Sequence, residues 1–290
     1  MKIEYQNSSK LLCVIGDPIA HSLSPRLQNT MLEVLGEDAV YLAIPVKAGT
    51  VSEFVTAAKT IGIQGFNLTM PHKEDILPLL SAMTPEAEAC KSVNSVRIRD
   101  GRLEGHSTDG IGFRRSIQDF GWDYPGKVVT ILGAGGAAKS VAMTAMRSGA
   151  KEVRVVNRTL SRAERLCQGH ENMRPFQRSD LHTLLPDTDI LINSTPIGME
   201  GVSGGDIPDL SHLKTGALCM DCIYAPALTP FMAEARRCGH TAGNGIGMLA
   251  YQAIYALSFF LDREFDEETI SMLGKKLMEI SGVDPQGNSL

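Results

Sequence analysis

The sequence lacks the features of secreted and membrane proteins. No uninterrupted apolar run reaches the ~20 residues that a membrane-spanning helix needs. The N-terminal stretch MKIEYQN carries charges where a signal peptide would have an apolar core. The 6 cysteines are scattered along 290 residues, which fits a reducing compartment better than a disulfide framework. These absences predict a soluble cytoplasmic protein with no membrane partner.

The sequence also lacks a basic excess and a metal-binding signature. It holds 28 Lys and Arg against 33 Asp and Glu, and without a basic stripe nucleic acid is not expected as a partner. Cys219-Met-Asp-Cys222 has the spacing of redox and zinc sites, but it lies in an apolar run typical of a buried strand. Residues three apart on a strand point to opposite faces, and no second Cys or His pair follows at zinc-finger spacing. We therefore predict buried structural cysteines and no metal site.

A glycine-rich turn follows a short apolar run in the middle of the chain. The run Val128–Leu132 ends at Gly133, the spacing Gly133-x-Gly135-x-x-Ala138 follows, and small residues with helical character continue to Gly149. In a dinucleotide-binding turn the first glycine permits the turn, the second lets backbone approach a pyrophosphate, and the small third residue lets helix pack on strand. The helix N-terminus adds unpaired N–H groups and a partial positive charge. The segment therefore predicts a Rossmann-type nucleotide-binding domain.

The end of the next apolar run favours NADP over NAD. Val153–Val156 is followed by Asn157-Arg158-Thr159, where a domain that binds the NAD ribose would carry Asp or Glu. A guanidinium pairs with a 2′-phosphate through charge-assisted hydrogen bonds, whereas a carboxylate would repel it. The alternative is that Arg158 and Arg162 belong to a solvated loop and helix face.

The first third of the chain alternates strands and helices, which predicts a mainly parallel sheet. The predicted strands are 11–16, 40–44 and 65–69, and the predicted helices are 25–35 and 50–60. Ligand contacts in open α/β sheets lie at the carboxyl ends of the strands. Asn67 and Thr69 at such an end, and Lys73 one loop further on, are therefore candidate site residues.

Other polar residues of this region allow two interpretations. Ser22 and Ser24 precede Pro25, and their hydroxyls either cap the helix that follows or hold a small carboxylate. Asp109 precedes a helix predicted to start near Ile111, so it is either a cap or a site residue.

The later segments complete the predicted elements. We predict a hairpin over 93–103, strands 189–192 and 217–220, and helices 229–238, 248–261 and 267–280. The C-terminal residues from Gly282 onward are expected to be frayed.

Nine short motifs carry a family resemblance. They are HSLSP (21–25) with Asn29, NLTMPHK (67–73), VN (93–94), STDG (107–110), GAGGA (133–137), NRT (157–159), NSTPIGM (193–199), DCIYAP (221–226), and GIGML (245–249) with Gln252. In this order and spacing they resemble the shikimate dehydrogenase family over nearly the whole chain.

The resemblance implies an α/β fold of two domains with a cleft between them. Residues 1–110 plus 245–290 would form an open, mainly parallel substrate domain, and residues 111–244 the Rossmann-type NADP-binding domain. The assembly is expected to be a monomer or a homodimer.

The resemblance also implies the reaction, a reversible reduction of 3-dehydroshikimate to shikimate by NADPH in aromatic amino acid biosynthesis. NAD is the less favoured cofactor. Loss of a hydride from an alcohol requires loss of the hydroxyl proton as well, so the site needs an acid/base. Lys73 and Asp109 are the implied catalytic residues. Burial would favour a neutral Lys73, whereas a nearby Asp109 would favour the charged form.

The remaining matching positions receive binding roles from the resemblance. The implied substrate-binding residues are Ser22, Ser24, Asn67, Thr69, Asn94, Tyr224 and Gln252. The implied cofactor-binding residues are Gly133, Ala134, Gly135, Gly136, Ala137, Asn157, Arg158, Thr159, Arg162, Ser194, Thr195, Cys222, Gly245 and Met248.

Three departures from the family pattern lie in the substrate half. Gln28 stands where His is common, Ser107 stands where Asn is usual, and Lys91-Ser92 replaces Gly-Ala. They keep open a quinate/shikimate dehydrogenase or a related cyclitol-carboxylate dehydrogenase. A catalytically silent NADP-binding sensor is a third hypothesis, and the presence of both Lys73 and Asp109 argues against it.

Overall fold

The computed structural model describes residues 6, 8–202 and 204–290, which form two compact units. The first unit runs to Thr108 and resumes at Gln252–Ile280, and the second is Asp109–Tyr251 with Ser281–Leu290. The chain thus passes between units after Thr108, after Tyr251 and after Ile280. The sequence-based limits were 110 and 244, and they kept residues 245–290 together. None of the helices in the described ranges is long and apolar enough to cross a membrane.

Strands and helices alternate through both units. The strands are β1 (Lys10–Gly16), β2 (Ala39–Pro45), β3 (Ile63–Leu68), β4 (Ala82–Met83), β5 (Ser95–Arg99), β6 (Arg102–His106), β7 (Val128–Leu132), β8 (Glu152–Asn157), β9 (Met173–Gln177), β10 (Ile190–Asn193), β11 (Leu218–Asp221) and β12 (Thr241–Gly243). The helices are α1 (Ser24–Leu35), α2 (Val51–Ile61), α3 (Pro85–Cys90), α4 (Asp109–Gln118), α5 (Gly136–Arg147), α6 (Leu160–Cys167), α7 (Leu181–Leu184), α8 (Pro230–Arg237), α9 (Ile246–Leu261) and α10 (Glu267–Ser281).

The sheet of the first unit is mainly parallel, with the strand order β2-β1-β3-β5-β6-β4. Strands β2, β1 and β3 run parallel, β5 pairs antiparallel with β3 and β6, and β4 joins β6 in parallel. The central strand β1 is a nearly continuous apolar run because its neighbours and the covering helices bury both of its faces. Phe66, Leu68 and Val96 continue this core.

The sheet of the second unit is parallel throughout, in the order β12-β11-β10-β7-β8-β9. The chain moves outward from β7 through β8 to β9 and then returns to build β10, β11 and β12 on the other side. The strand order therefore reverses between β7 and β10, and open α/β sheets bind ligands at the carboxyl ends of strands at such a point.

Two local expectations were wrong. Helix α4 begins at Asp109 rather than near Ile111, so Asp109 is the first helical residue and not the residue before the helix. The residues after Gly282 are not frayed, because Asp284 and Asn288 bond to each other and Asn244 bonds to the backbone of Asp284.

Candidate functional site

The turn between β7 and α5 requires glycine at its first position. Gly133 has φ +111°, and a Cβ added there would lie 2.7 Å from the Ser194 hydroxyl oxygen. That hydroxyl donates to the Leu132 carbonyl at 2.8 Å, so Ser194 is fixed against the turn. A side chain at position 133 would clash with Ser194, just after β10, and the residue would be held in an unfavourable backbone conformation.

The next two glycines face open space. No heavy atom lies within 4 Å of a Cβ built on Gly135 or Gly136, and Gly135 caps α5 without a side-chain hydrogen bond. The first N–H groups of this 12-residue helix are therefore accessible to a ligand, because no side chain covers them at Gly135 and Gly136. An open glycine cradle at a helix N-terminus fits a pyrophosphate.

Two arginines lie beyond β8, the neighbouring strand. Arg158 and Arg162 are exposed, and neither guanidinium group forms a hydrogen bond or ion pair with any residue of the described ranges. Asn157 shapes this turn, because its amide donates to the Thr159 carbonyl at 2.9 Å. By contrast Arg154, on the same strand, is paired with Asp187 and Glu152. The turn thus presents two accessible guanidinium groups, as binding of a 2′-phosphate requires.

A buried carboxylate joins the ends of β10 and β11. Asp221 is 0% exposed and accepts from the Asn193 amide at 3.0 Å, the Ile223 N–H at 3.0 Å and the Thr229 hydroxyl at 2.7 Å. Burial raises the pKa of Asp221 to about 6, although the three hydrogen bonds act in the opposite direction. Asn193 in turn accepts from the Thr195 hydroxyl at 2.6 Å. This network fixes the loops that carry Ser194, Thr195 and Cys222.

The start of α9 packs directly on the loop after β11. A Cβ on Gly245 would lie 2.2 Å from the Cys222 carbonyl oxygen, and the Gly245 N–H donates to the Ile223 carbonyl at 2.8 Å. The second unit therefore brings the predicted residues Cys222 and Gly245 together. Met248 lies half-buried in the first turn of α9.

Burial keeps the side chains of this loop neutral. Desolvation raises the pKa of the Cys222 thiol, and the charges of Asp221 and Asp109 raise it further. Burial likewise raises the pKa of Tyr224, which is half-buried. A raised pKa favours the protonated thiol over the nucleophilic thiolate. Of the two cysteines predicted to be buried, Cys219 is buried and Cys222 is half-buried.

A second buried polar network lies in the first unit, at the carboxyl end of β3. Asn67 accepts from the Tyr41 hydroxyl at 2.6 Å and donates to the Asn94 carbonyl at 2.9 Å and the Ser95 hydroxyl at 2.8 Å. Both amide hydrogens of Asn67 are used inside the protein. A substrate hydroxyl can therefore meet only the remaining lone pair of its carbonyl oxygen.

Asn94 extends the network to α9. Its amide donates to the Thr108 hydroxyl at 2.9 Å and to the Gln252 carbonyl oxygen at 3.4 Å, and its own oxygen accepts from the Thr108 N–H at 2.9 Å. The fold thus brings together three predicted substrate residues: Asn67, Asn94 and Gln252. Sequence reasoning missed Tyr41 and Ser95, because a hydroxyl group within an apolar strand carries no signal of its own, and it gave no role to Thr108, which lies between β6 and α4.

The loop that carries Lys73 is anchored on both sides. The Lys73 carbonyl accepts from the Val93 N–H at 3.0 Å, and the Met70 carbonyl accepts from the Asp17 N–H at 3.1 Å. His72, which is 0% exposed, contacts the Val46 carbonyl through Nε2 at 2.8 Å. Lys73 itself is half-buried in the first unit. Sequence reasoning assigned no role to His72.

Ser22 and Ser24 do not cap α1. Leu23 is the capping residue and makes no side-chain hydrogen bond, while the Ser24 N–H donates to the Ser22 hydroxyl oxygen at 3.2 Å. One turn further, Gln28 is buried and donates to the Ala253 carbonyl in α9 at 3.0 Å. Neither serine therefore occupies the capping position, although the Ser22 hydroxyl accepts from the N–H of the first residue of α1.

Asp109 opens α4 in the second unit and is 6% exposed. The close packing of α4 on α5 fixes its position, since a Cβ on the following Gly110 would lie 2.1 Å from the Thr144 hydroxyl and 2.4 Å from the Ser140 carbonyl. Glycine at position 110 therefore lets the backbones of α4 and α5 approach closely.

Two successive segments of the sequence match models of a known protein family. Residues 14–96 match the model of the shikimate dehydrogenase substrate binding domain, and residues 116–215 match that of shikimate / quinate 5-dehydrogenase. A shikimate dehydrogenase (NADP(+)) from Geobacter metallireducens is 36% identical over 90% of this chain and 94% of its own length. The chain belongs to the shikimate dehydrogenase family.

Solved structures of shikimate dehydrogenases agree with this assignment. The shikimate 5-dehydrogenase from Listeria monocytogenes, in complex with shikimate and NAD, has a TM-score of 0.87 at 30% identity, covering 96% of this chain and 99% of its own. The shikimate 5-dehydrogenase from Thermus thermophilus, in complex with NADP(H) and shikimate, has a TM-score of 0.80 at 30% identity, covering 92% and 99%. The two-domain α/β fold implied by the shikimate dehydrogenase motifs is thereby confirmed.

Proposed function

We propose that the protein catalyses the reversible NADP-dependent reduction of 3-dehydroshikimate to shikimate. The observation that carries the proposal is the combination, in one chain of this family, of an open glycine cradle, two accessible arginines and Lys73 on an anchored loop. The names and bound ligands of the similar proteins support the same substrate and cofactor.

Lys73 and Asp109 handle the proton of the reacting hydroxyl. In the oxidative direction the alcohol loses a hydride from carbon and a proton from oxygen, so a side chain must accept that proton. In this proposal Lys73 is the acid/base, and Asp109 shares with it the binding of the reacting hydroxyl and the handling of its proton. The anchors at Val93 and Val46 hold the Lys73 loop in place before substrate arrives, which reduces the entropy lost on reaching the reactive geometry.

The second unit would hold the cofactor, which would supply the hydride donor or acceptor. Gly133, Ala134, Gly135, Gly136 and Ala137 would bind its pyrophosphate. Arg158 and Arg162, with Asn157 and Thr159, would bind its 2′-phosphate. Ser194, Thr195, Cys222, Gly245 and Met248 would hold the nicotinamide part, and the Cys222 thiol, whose pKa is raised, would add no charge there.

The substrate carboxylate and hydroxyls meet mainly neutral groups. Ser22 and Ser24 would donate to the substrate carboxylate, while Asn67, Thr69, Asn94 and Gln252 would bind the ring hydroxyls and fix the pose of the substrate. Tyr224 completes the proposed substrate-binding set. Each neutral hydrogen bond contributes only about 1 kcal/mol, so affinity depends on many of them together.

The six free thiols agree with a reducing compartment, and we propose the cytoplasm as the site of the reaction.

Initial rates with shikimate and with quinate, each with NADP and with NAD, test the proposal through four values of kcat/KM. We expect the shikimate–NADP pair to give the highest value. A higher value for quinate would instead identify a quinate/shikimate dehydrogenase. NADPH binding without turnover of either acid would contradict the enzymatic proposal and favour a sensor.

A further inference from the structure

Asn244 joins three separate segments of the second unit. It is 0% exposed, and its amide donates to the Ala227 carbonyl at 2.9 Å and to the Asp284 carbonyl at 3.1 Å. Its side-chain oxygen accepts from the Ile246 N–H at 3.0 Å, at the start of α9. All the hydrogens of this buried amide are thus used, and each holds a different stretch of backbone.

The C-terminal segment, residues 282–290, is a closed loop. Both carboxylate oxygens of Asp284 accept from Asn288, from its N–H at 2.7 Å and from its amide at 2.8 Å. Val283 and Ser289 form a β-bridge, and the Leu290 N–H donates to the Gly282 carbonyl at 3.1 Å. The loop therefore holds its own shape through local hydrogen bonds.

This loop contacts the rest of the second unit at three places. The Pro285 carbonyl accepts from the Asn244 N–H at 2.8 Å, and the Gln286 carbonyl accepts from Arg236 of α8. Gly287 packs so closely that a Cβ there would lie 2.7 Å from the Ala227 carbonyl oxygen. The loop is therefore held by defined hydrogen bonds to its backbone carbonyls and by the close packing of Gly287.

The loop thus contacts the segment just before α9 through one buried residue, Asn244. Two consecutive carbonyls of the loop, those of Asp284 and Pro285, meet the side chain and the backbone of Asn244. On its other side the same turn is held by the Ile223 carbonyl, which accepts from Gly245. If the loop were removed, the start of α9 would be held mainly by hydrogen bonds to Ile223 and Ala227, which follow β11.

We propose that the C-terminal segment positions the Gly245–Met248 turn for hydride transfer and that Asn244 is the positioning residue through which it acts. The inference rests on the proposed function, which assigns Gly245 and Met248 to the nicotinamide side. Asn244 touches neither substrate nor cofactor in this proposal. It acts by fixing the backbone of the Gly245–Met248 turn, which the proposed function assigns to the nicotinamide side.

The test compares the full-length protein with a variant that ends at Ser281. NADPH fluorescence titration gives the number of binding sites and the Kd, and kcat is expressed per binding site. We expect kcat per site to fall about tenfold while the Kd for NADPH stays within about threefold, because misplacing a reacting group costs rate more than binding. Amide hydrogen exchange at residues 244–250 should become faster.

A matched pair of glycine variants keeps the test decisive if the truncated protein does not fold. Gly287→Ala places a Cβ against Ala227, whereas Gly282→Ala meets nothing within 4 Å. Both positions have a similar positive φ, +81° and +73°, so the backbone strain is alike. We expect Gly287→Ala to lower kcat per site and to speed exchange at 244–250, and Gly282→Ala to do neither.

Combining the truncation with Asn244→Ala tests whether the C-terminal segment affects kcat through Asn244. Since the truncation and Asn244→Ala both remove the hydrogen bond between the Asn244 amide and the Asp284 carbonyl, the combined variant should lose less kcat per site than the product of the two separate losses predicts. An unchanged kcat per site together with unchanged exchange in the truncated protein or in Gly287→Ala would overturn the inference. Absence of turnover in the full-length protein would contradict the proposed function instead, and hydrogen exchange would still decide the role of the segment.

Discussion

The two units each bury a polar network at the carboxyl ends of central strands, but the networks differ in charge. In the first unit the network consists of neutral amides and hydroxyls around Asn67 and Asn94. In the second it surrounds a carboxylate, that of Asp221. A neutral network has the same strength at every pH at which the protein folds, whereas a buried carboxylate couples its neighbours to pH. The comparison shows that similar strand ends in the two units are held by networks whose stability responds differently to pH.

Lys73→Ala separates the roles of the two units and should give the largest effect. Loss of the acid/base is expected to lower kcat by about 10²- to 10⁴-fold, with the Kd for NADPH unchanged because the cofactor belongs to the second unit. Steady-state kinetics and NADPH titration measure both quantities. Lys59→Ala, which removes an exposed lysine of α2, is the matched control. A variant that retains most of the wild-type kcat would refute the role of Lys73.

Asn67→Ala breaks the neutral network. It leaves the buried Tyr41 hydroxyl, the Ser95 hydroxyl and the Asn94 carbonyl each without one partner, so we expect the free energy of unfolding to fall by about 2–4 kcal/mol. Urea unfolding should give the same loss at pH 5 and pH 8. Tyr41→Phe should cost about 1 kcal/mol and should not add to Asn67→Ala. A loss that varies with pH would contradict a neutral network.

Asp221→Asn breaks the charged network and tests its pH dependence. The folded pKa, raised to about 6, exceeds the ordinary value of 3.8, so the folded protein binds the proton more tightly than the unfolded chain does. The contribution of Asp221 to stability is therefore largest below pH 4, decreases as the pH rises through 6 and is constant above that. The difference in unfolding free energy, variant minus wild type, should rise by about 1–3 kcal/mol between pH 4 and pH 7. A flat difference would show that the carboxylate does not titrate in this range.

Arg158→Ala tests whether the second unit distinguishes NADP from NAD through this arginine, and it should have the smallest effect. Loss of the exposed guanidinium is expected to lower kcat/KM for NADP by about 10- to 30-fold and to leave that for NAD within about twofold. Arg165→Ala, an exposed arginine on α6, serves as the control. Equal losses with both cofactors would argue that Arg158 does not recognise the 2′-phosphate.

Local patterns predicted most of the fold. Strand β7 was predicted at its observed bounds, and α1, α2 and α10 within about one or two residues, because apolar periodicity and turn residues encode them locally. The short strands β9 and β12 were missed, since three to five residues with mixed burial show no clear period. The start of α4 was placed two residues late because Asp109 was taken as a cap.

The sequence by itself determined the elements, the glycine cradle and the residue types at the candidate site, because each depends on neighbours within a few positions. Only the tertiary structure decided that Tyr41 meets Asn67 across 26 positions and that Asn244 meets Asp284 across 40. It also decided that a tail of polar and glycine residues docks rather than frays. Hydrogen bonds between distant segments depend on strand register and packing, which are properties of the whole chain and leave no local signal.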